Sequence, residues 1–230
     1  MRTHGGQAVD FKAVIFDLDG TLLDTLEDLA DAMNAVLQNN RLPVHDEAAY
    51  RYFVGDGIEM LVRRALPFEI ADAEELNRFI REMKREYAGR WTQKTRPYPG
   101  ILELLDAFSA GGFEMAVLSN KPDEATRHII QAFLPGVSFR MVIGATSGKP
   151  KKPDPTVALE IADRLRIAPA RFIYVGDTSI DMRTAVAAGM FPVGALWGFR
   201  RAEEMIAAGA ELLVSKPASL LPWLSLAAAG

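Results

Sequence analysis

The sequence predicts an α/β protein in which a parallel sheet, covered by helices on both faces, is interrupted early by an all-helical insert. Three observations predict it. An apolar run at 14–16 ends abruptly in Asp17 and Asp19. From Thr25 to about Thr95 the apolar residues recur at helical spacing, with no convincing strand among them. Beyond Gly100, short apolar runs alternate with helical stretches, the pattern of parallel strands joined by crossover helices.

Val14, Ile15 and Phe16 read as a strand buried on both faces, and Gly20 lets the chain turn tightly, with the Thr21 hydroxyl beside it. Leu26, Leu29, Ala30, Met33, Val36 and Leu37 fall on one helix face, and Thr25 with Asp28 makes a capping-box pattern at its start. Ile58, Leu61, Val62, Ala65 and Leu66 mark further helix, as do Leu76, Phe79, Ile80, Met83 and Tyr87. Arg96-Pro97-Tyr98-Pro99-Gly100 reads as a linker. The helical insert therefore spans 25–96, and the core comprises 1–24 and 97–230.

In the core, a helix over 101–110 is stopped by Gly111-Gly112. A strand at 115–118 follows, then a helix near 124–133, a strand at 140–143 and a helix near 155–165. A strand at 172–175, a helix near 180–188, a strand at 192–196, a helix at 202–208 and a strand at 211–214 complete a Rossmann-like core. The apolar stretch 220–230 reads as a packed terminal helix, and residues 1–10 as a loose extension.

The 230 residues suffice for one large or two modest domains. A net charge of -4 argues against nucleic acid as the main partner. Without cysteine there are no disulfides, thiolate nucleophiles or thiolate metal ligands. His4, His45 and His128 are scattered, which disfavours a histidine zinc site. No run reaches the roughly 18 apolar residues of a membrane span, and 1–10 lacks the apolar stretch of a signal peptide. The expectation is a cytoplasmic protein, monomer or homodimer, with no membrane or nucleic-acid partner.

Three strand ends carry reactive side chains. The first gives Asp17 and Asp19, which would share a side if the strand continued. The second gives Ser119-Asn120-Lys121, and the third Gly176-Asp177-Thr178-Ser179-Ile180-Asp181. Ligands of open parallel sheets bind beyond the carboxyl ends of strands, at the switch point, so these ends are expected to face one crevice. Clustered carboxylates need positive charge, and Mg²⁺ takes oxygen ligands. Gly148-Lys149-Pro150-Lys151-Lys152-Pro153-Asp154-Pro155 places three lysines before a helix start capped by Asp154. It is not a Walker loop: the spacing from Gly144 is one residue short, and Pro150 stands where Ser or Thr must bind Mg²⁺.

These four elements, in this order, resemble the haloacid dehalogenase superfamily from Val14 to about Leu221. The motifs are Asp17-Leu18-Asp19-Gly20-Thr21, Ser119-Asn120, Lys152-Pro153, and Gly176-Asp177 followed by Asp181. The insert resembles that family's helical cap of the first type. Within the family the chain looks like phosphoglycolate phosphatases, on Val54-Gly55-Asp56-Gly57, Lys152-Pro153-Asp154-Pro155 and Trp197-Gly198-Phe199-Arg200.

The resemblance implies a Mg²⁺-dependent phosphomonoesterase with a specificity-giving cap that closes to exclude water. It makes Asp17 the nucleophile that becomes an aspartyl-phosphate, and Asp19 the general acid and later the base. It assigns Mg²⁺ to the Asp17 carboxylate, the Asp19 carbonyl and the Asp177 carboxylate, with Asp181 behind them. Ser119 and the Asn120 amide would bind phosphate oxygens, and Lys152 would bridge phosphate and Asp17. Dehalogenases usually lack the second aspartate, since halide leaves without a proton, so Asp19 favours phosphoryl chemistry. The expected substrate is a small phosphate ester, 2-phosphoglycolate first. Other small-molecule phosphatases, acting on pyrophosphate, nucleotides or sugar phosphates, and a phosphohexomutase stand as alternatives.

Several residues also have ordinary readings. Asp24 is as much a turn residue as a functional one, and Gly55-Asp56-Gly57 either starts a helix or gates substrate. Arg63 and Arg64 share a helix on which one should face solvent. Lys149 and Lys151 read as solvated, Thr178 and Ser179 as helix caps, Trp197 and Phe199 as packing aromatics, and His128 as a surface residue.

Overall fold

The computed structural model describes residues 10–223. In chain order the elements are β1 (Ala13–Phe16), β2 (Leu23–Asp24), α1 (Leu26–Asn39), α2 (Glu47–Phe53), α3 (Ile58–Ala65), α4 (Ala73–Ala88) and β3 (Arg96–Pro97). Then come α5 (Ile101–Ala110), β4 (Glu114–Pro122), α6 (Asp123–Phe133), β5 (Met141–Ala145), α7 (Thr156–Leu165) and β6 (Phe172–Gly176). The last are α8 (Ser179–Ala188), β7 (Phe191–Ala195), α9 (Ala202–Ala207) and β8 (Leu212–Val214), followed by a short 3₁₀ stretch, Pro217–Trp223. The chain divides into two units, one of Met1–Leu22 with Tyr98–Gly230 and one of Leu23–Pro97.

The larger unit is built on a six-stranded sheet in the order β5-β4-β1-β6-β7-β8, parallel at every pairing. β1 therefore lies between β4 and β6, where the winding reverses, and the carboxyl ends of these three strands are neighbours. Phe16 is in register with Val117 of β4 and Val175 of β6. Alternation sorts β1 between two cores. Ala13 and Ile15 join Ala116, Leu118, Phe172 and Tyr174 against Val157, Ile161 and Ala185 of α7 and α8. Phe16 points the other way, edge-on to Phe108 of α5 with ring centroids 5.8 Å apart.

Helix α5 ends as its glycines require. Gly112 adopts φ 73°, and the Phe113 amide reaches back to the Phe108 carbonyl at 3.0 Å. Strand β4 differs from the expected 115–118. It stays extended to Pro122, with its register to β5 shifting between Leu118 and Pro122. That irregular stretch carries Ser119, Asn120 and Lys121. The N-cap of α7 is Pro155 rather than Asp154, whose carboxylate instead accepts from the Thr156 amide at 2.9 Å. The expected terminal helix at 220–230 coincides with a 3₁₀ turn as far as Trp223, and its remainder lies outside the described residues, as do His4 and most of the N-terminal extension.

In the smaller unit, α1 buries the face expected of it, and α4 buries Leu76, Phe79 and Met83. The capping box at Thr25 and Asp28 does not form. Asp28 is buried and accepts instead from the Lys94 amide and from both the amide and hydroxyl of Thr95. This ties the two ends of the unit together beside the β2–β3 ribbon, across which Asp24 pairs with Arg96 at 3.4 Å. Gly57, at φ 88°, is the N-cap of α3, and Asp56 pairs with Arg64. Arg63 pairs with Glu59 at 3.0 Å. The Nε2 of His45 lies 2.7 Å from the Ala65 carbonyl, and its ring meets Tyr50 and Phe53 edge-on. It is a half-buried histidine with a structural role.

Candidate active site

Asp17 follows β1 and keeps its ladder, its amide donating to the Val175 carbonyl at 2.9 Å. The side chain is therefore delivered to the switch point by the sheet itself. Asp177 follows β6, and Asp181 lies in the first turn of α8. The three carboxylates are buried, and each offers an oxygen within 4.8 Å of the others.

Lys152 lies among them. Its ammonium donates to Asp181 Oδ1 at 2.7 Å and sits 2.8 Å from Asp17 Oδ1, with 2% of the side chain exposed. Asn120 holds the backbone behind it. The Asn120 amide donates to the Lys152 carbonyl at 3.1 Å, and its oxygen accepts from the Lys152 amide at 3.0 Å. Lys149, which pairs with Glu160, and Lys151 lie on the surface.

Both oxygens of Asp177 are fixed. Thr21 Oγ1 donates to Oδ1 at 2.9 Å, and the Phe199 amide donates to Oδ2 at 2.8 Å. Trp197 in turn ties its indole N–H to the Thr21 carbonyl at 2.9 Å. Two glycines make room. A Cβ on Gly20, whose φ is +87°, or on Gly198 would run into the Asp177 carboxyl group. A Cβ on Gly176 would lie 2.7 Å from Asp181 Oδ2. That oxygen accepts from the Thr178 amide at 3.1 Å and its hydroxyl at 2.6 Å, which binds Asp181 into the start of α8.

Asp19 stands apart from this cluster. Its two carboxylate oxygens accept from the Lys121 ammonium at 2.9 and 3.1 Å. Ser119, two residues before Lys121, accepts from the Lys121 amide through its hydroxyl at 3.1 Å, which leaves the hydroxyl hydrogen for another acceptor.

The charges explain one another. Burial, reinforced by Asp181 and Asp177, pushes Asp17 well above the ordinary carboxylate range despite Lys152. Burial and Asp181 likewise push Asp177 up to about 7, against the hydrogen bonds from Phe199 and Thr21. Burial opposes the charge on Lys152, but Asp17 and Asp181 outweigh it and hold the ammonium well above its usual value. Three buried carboxylates thus face one buried ammonium. The donors are all oxygen and the local charge is in negative excess, which fits a hard divalent cation such as Mg²⁺.

Comparison with known proteins agrees with this geometry. The sequence matches the family described as haloacid dehalogenase-like hydrolase over residues 14–195. The chain belongs to that family. Among curated relatives, the phosphoglycolate phosphatase of Pseudomonas putida is 32% identical over 92% of this chain and 79% of its own. The phosphoglycolate phosphatase of Escherichia coli K12 is 30% identical over 94% of each. A crystal structure from Lactobacillus delbrueckii subsp. bulgaricus superimposes with a TM-score of 0.86 at 30% identity, covering 94% of this chain and 98% of that one. The chain shares the fold of that structure and has the α/β sheet that its sequence predicts. No helix among the described residues is long and apolar enough to cross a membrane.

Of the residues singled out in the sequence, the structure brings Asp17, Asp177, Asp181 and Lys152 together and sets Asn120 directly behind Lys152. The Asp19 carboxylate is turned toward Lys121 instead. Sequence reasoning placed Lys121 at a reactive strand end but gave it no role. The only signal was its place at the strand end beside Ser119-Asn120, where a lysine looks like any solvated terminus. Trp197 and Phe199 do more than pack, because Phe199 acts through its backbone, which no side-chain pattern announces.

Proposed function

We infer that this haloacid dehalogenase-like hydrolase is a Mg²⁺-dependent phosphomonoesterase acting on a small organic phosphate, 2-phosphoglycolate first. One observation carries the reading. Asp17, a carboxylate at the switch point of the sheet, has a buried ammonium 2.8 Å from one oxygen and two further buried carboxylates beside it.

In this reading an Asp17 oxygen attacks phosphorus, and the bond from phosphorus to the ester oxygen breaks. Asp19 gives its proton to the departing alkoxide. Water then attacks the aspartyl-phosphate, Asp19 takes up the water's proton, and inorganic phosphate leaves with the Asp17 carboxylate restored. Ser119, the Asn120 amide and Lys152 hold the phosphoryl oxygens, where charge accumulates on the way to the transition state. The Asp17 and Asp177 carboxylates and the Asp19 carbonyl would hold Mg²⁺, with Asp181 behind them. A cation bound there supplies positive charge next to the phosphoryl group. The helical unit Leu23–Pro97 is read as the part that selects the substrate. The names of the Pseudomonas putida and Escherichia coli relatives support phosphoglycolate as the first candidate.

The test is phosphate release from a metabolite panel, with and without added Mg²⁺. Release of phosphate from 2-phosphoglycolate in preference to pyrophosphate, nucleotides and sugar phosphates is the expected result. Preference for another ester would remove phosphoglycolate, and no Mg²⁺-dependent release from any ester would remove the phosphatase reading.

A further inference from the structure

Lys121 has no part in the motif set, yet its side chain is only 7% exposed and its ammonium pairs with the Asp19 carboxylate. Placing an ammonium there is costly unless it is well paired. Both Asp19 oxygens accept from it, at 2.9 and 3.1 Å. A carboxylate held at both oxygens has little rotational freedom about its last bond.

The backbone of Lys121 is fixed as firmly as its tip. Its amide donates to Ser119 Oγ at 3.1 Å, and its carbonyl accepts from Thr126 Oγ1 at 3.2 Å. The Gly144 backbone packs so closely that a Cβ there would lie 2.6 Å from that same carbonyl. The Gly144 amide also donates to Asp123 Oδ1 at 2.8 Å, clamping the chain two residues further on. The register shift in β4 puts Lys121 on this clamped stretch. The route from sheet to ammonium to Asp19 therefore has few loose joints.

We propose that Lys121 is a positioning residue for Asp19, orienting its carboxyl group toward the ester oxygen that leaves. The inference rests on the reading of Asp19 as the group that hands a proton to that oxygen. Prealigning the carboxyl group removes an ordering step from the barrier. Lys121 itself need not touch the substrate.

The experiment compares kcat/KM for two phosphate monoesters, an alkyl ester with a strongly basic leaving oxygen and p-nitrophenyl phosphate, whose anion leaves without a proton. It is run on the Mg²⁺-loaded wild type, Asp19→Asn, Lys121→Met and Lys121→Arg. General acid catalysis contributes about 10²- to 10⁴-fold where protonation is needed. Lys121→Met should therefore lower kcat/KM for the alkyl ester about 10-fold or more, and for p-nitrophenyl phosphate only slightly. Lys121→Arg, which keeps the charge and donors, should recover part of the loss. The ratio of the two values within one preparation does not depend on how much of the variant has folded.

Equal losses on both esters in Lys121→Met, with a selective loss in Asp19→Asn, would overturn the positioning role while leaving the Asp19 assignment standing. Equal losses in Asp19→Asn would overturn both.

Discussion

Asn120 and Lys152, 32 residues apart in the chain, exchange two hydrogen bonds, amide to carbonyl and amide to side-chain oxygen. Both groups are buried, so the pair acts as a clip that sets the backbone from which Lys152 projects between Asp17 and Asp181. An asparagine beside a serine proposed to bind phosphate would ordinarily be credited to the ligand. Here its side chain is committed to the protein.

Asn120→Leu keeps the approximate volume and removes both bonds, leaving the amide and carbonyl of Lys152 buried without these partners. At about 1 kcal/mol for each bond the loss is about 2 kcal/mol, or several degrees in Tm. Turnover should fall by more than the fraction unfolded accounts for, because Lys152 is no longer held. A thermal melt and a rate measured well below Tm check this, and an unchanged rate would mean that the clip does not serve Lys152.

The metal-free protein should gain stability as the solution is acidified toward pH 5. Asp177 has its carboxyl pushed up to about 7 in the fold, against an ordinary value of 3.8. Between these values the folded protein binds a proton that the unfolded chain does not. Its contribution is fully present below the ordinary value and lost as pH rises through about 7. Asp17 is shifted the same way. Carboxylates with the opposite sign, such as Glu114 beside Arg140, act below their ordinary values, 4.5 for Glu114, and leave this window clear. Mg²⁺ should reverse the trend, raising Tm more at about pH 8 than at about pH 5.5, because it replaces the proton as the neutralising charge. Melts in chelator and in excess Mg²⁺ across this range test it; a chelated protein that melts higher at alkaline pH would contradict the picture.

Asp17→Asn should cost at least about 10³-fold in turnover if Asp17 is the nucleophile, since an amide cannot accept the phosphoryl group in a productive cycle. Stability should move differently. Burial and its acidic neighbours outweigh Lys152 at this position, so in the metal-free protein a neutral side chain relieves more repulsion than the attraction it gives up. The variant should melt at or above the wild-type temperature near neutral pH. Such a trade of stability for function is common where charges are gathered for chemistry.

The sheet and the carboxylate ends were legible because they depend on local signals. A continuous apolar run predicts a buried strand, and Asp17 and Asp177 follow such runs directly. What the sequence hid depends on long-range pairing. Asp28 has the spacing of a capping residue but binds Lys94 and Thr95, 66 and 67 residues away, because those amides need an acceptor where the chain returns. The roles of Lys121 and of the Phe199 amide escaped for the same reason: the partners that give them meaning, Asp19 and Asp177, lie 102 and 22 residues off. The short helix α2 was missed because its 7 residues bury only Tyr50, too little for a periodic face to show.

Gly198→Ala tests the packing around Asp177 and the neighbouring Gly20 backbone without changing any charge. The position has no left-handed φ to forbid a side chain, so any penalty is steric. A Cβ there would lie 2.3 Å from both Asp177 Cβ and the Gly20 carbonyl oxygen, and 2.6 Å from Asp177 Cγ. The carboxyl group cannot retreat without giving up the Thr21 hydroxyl or the Phe199 amide, which hold its two oxygens. The alanine should therefore displace the carboxylate, and disturbing the groups that orient a metal ligand typically weakens metal binding about 10- to 100-fold. The Mg²⁺ concentration giving half-maximal activity should rise by about that factor, and calorimetric titration of Mg²⁺ should give the same shift without any substrate present. Gly136→Ala is the matched control, because a Cβ there meets nothing within 4 Å. It should leave Mg²⁺ dependence unchanged and stability level or slightly improved. If Gly198→Ala titrates Mg²⁺ like that control, Asp177 is not held in place by the close approach of this backbone.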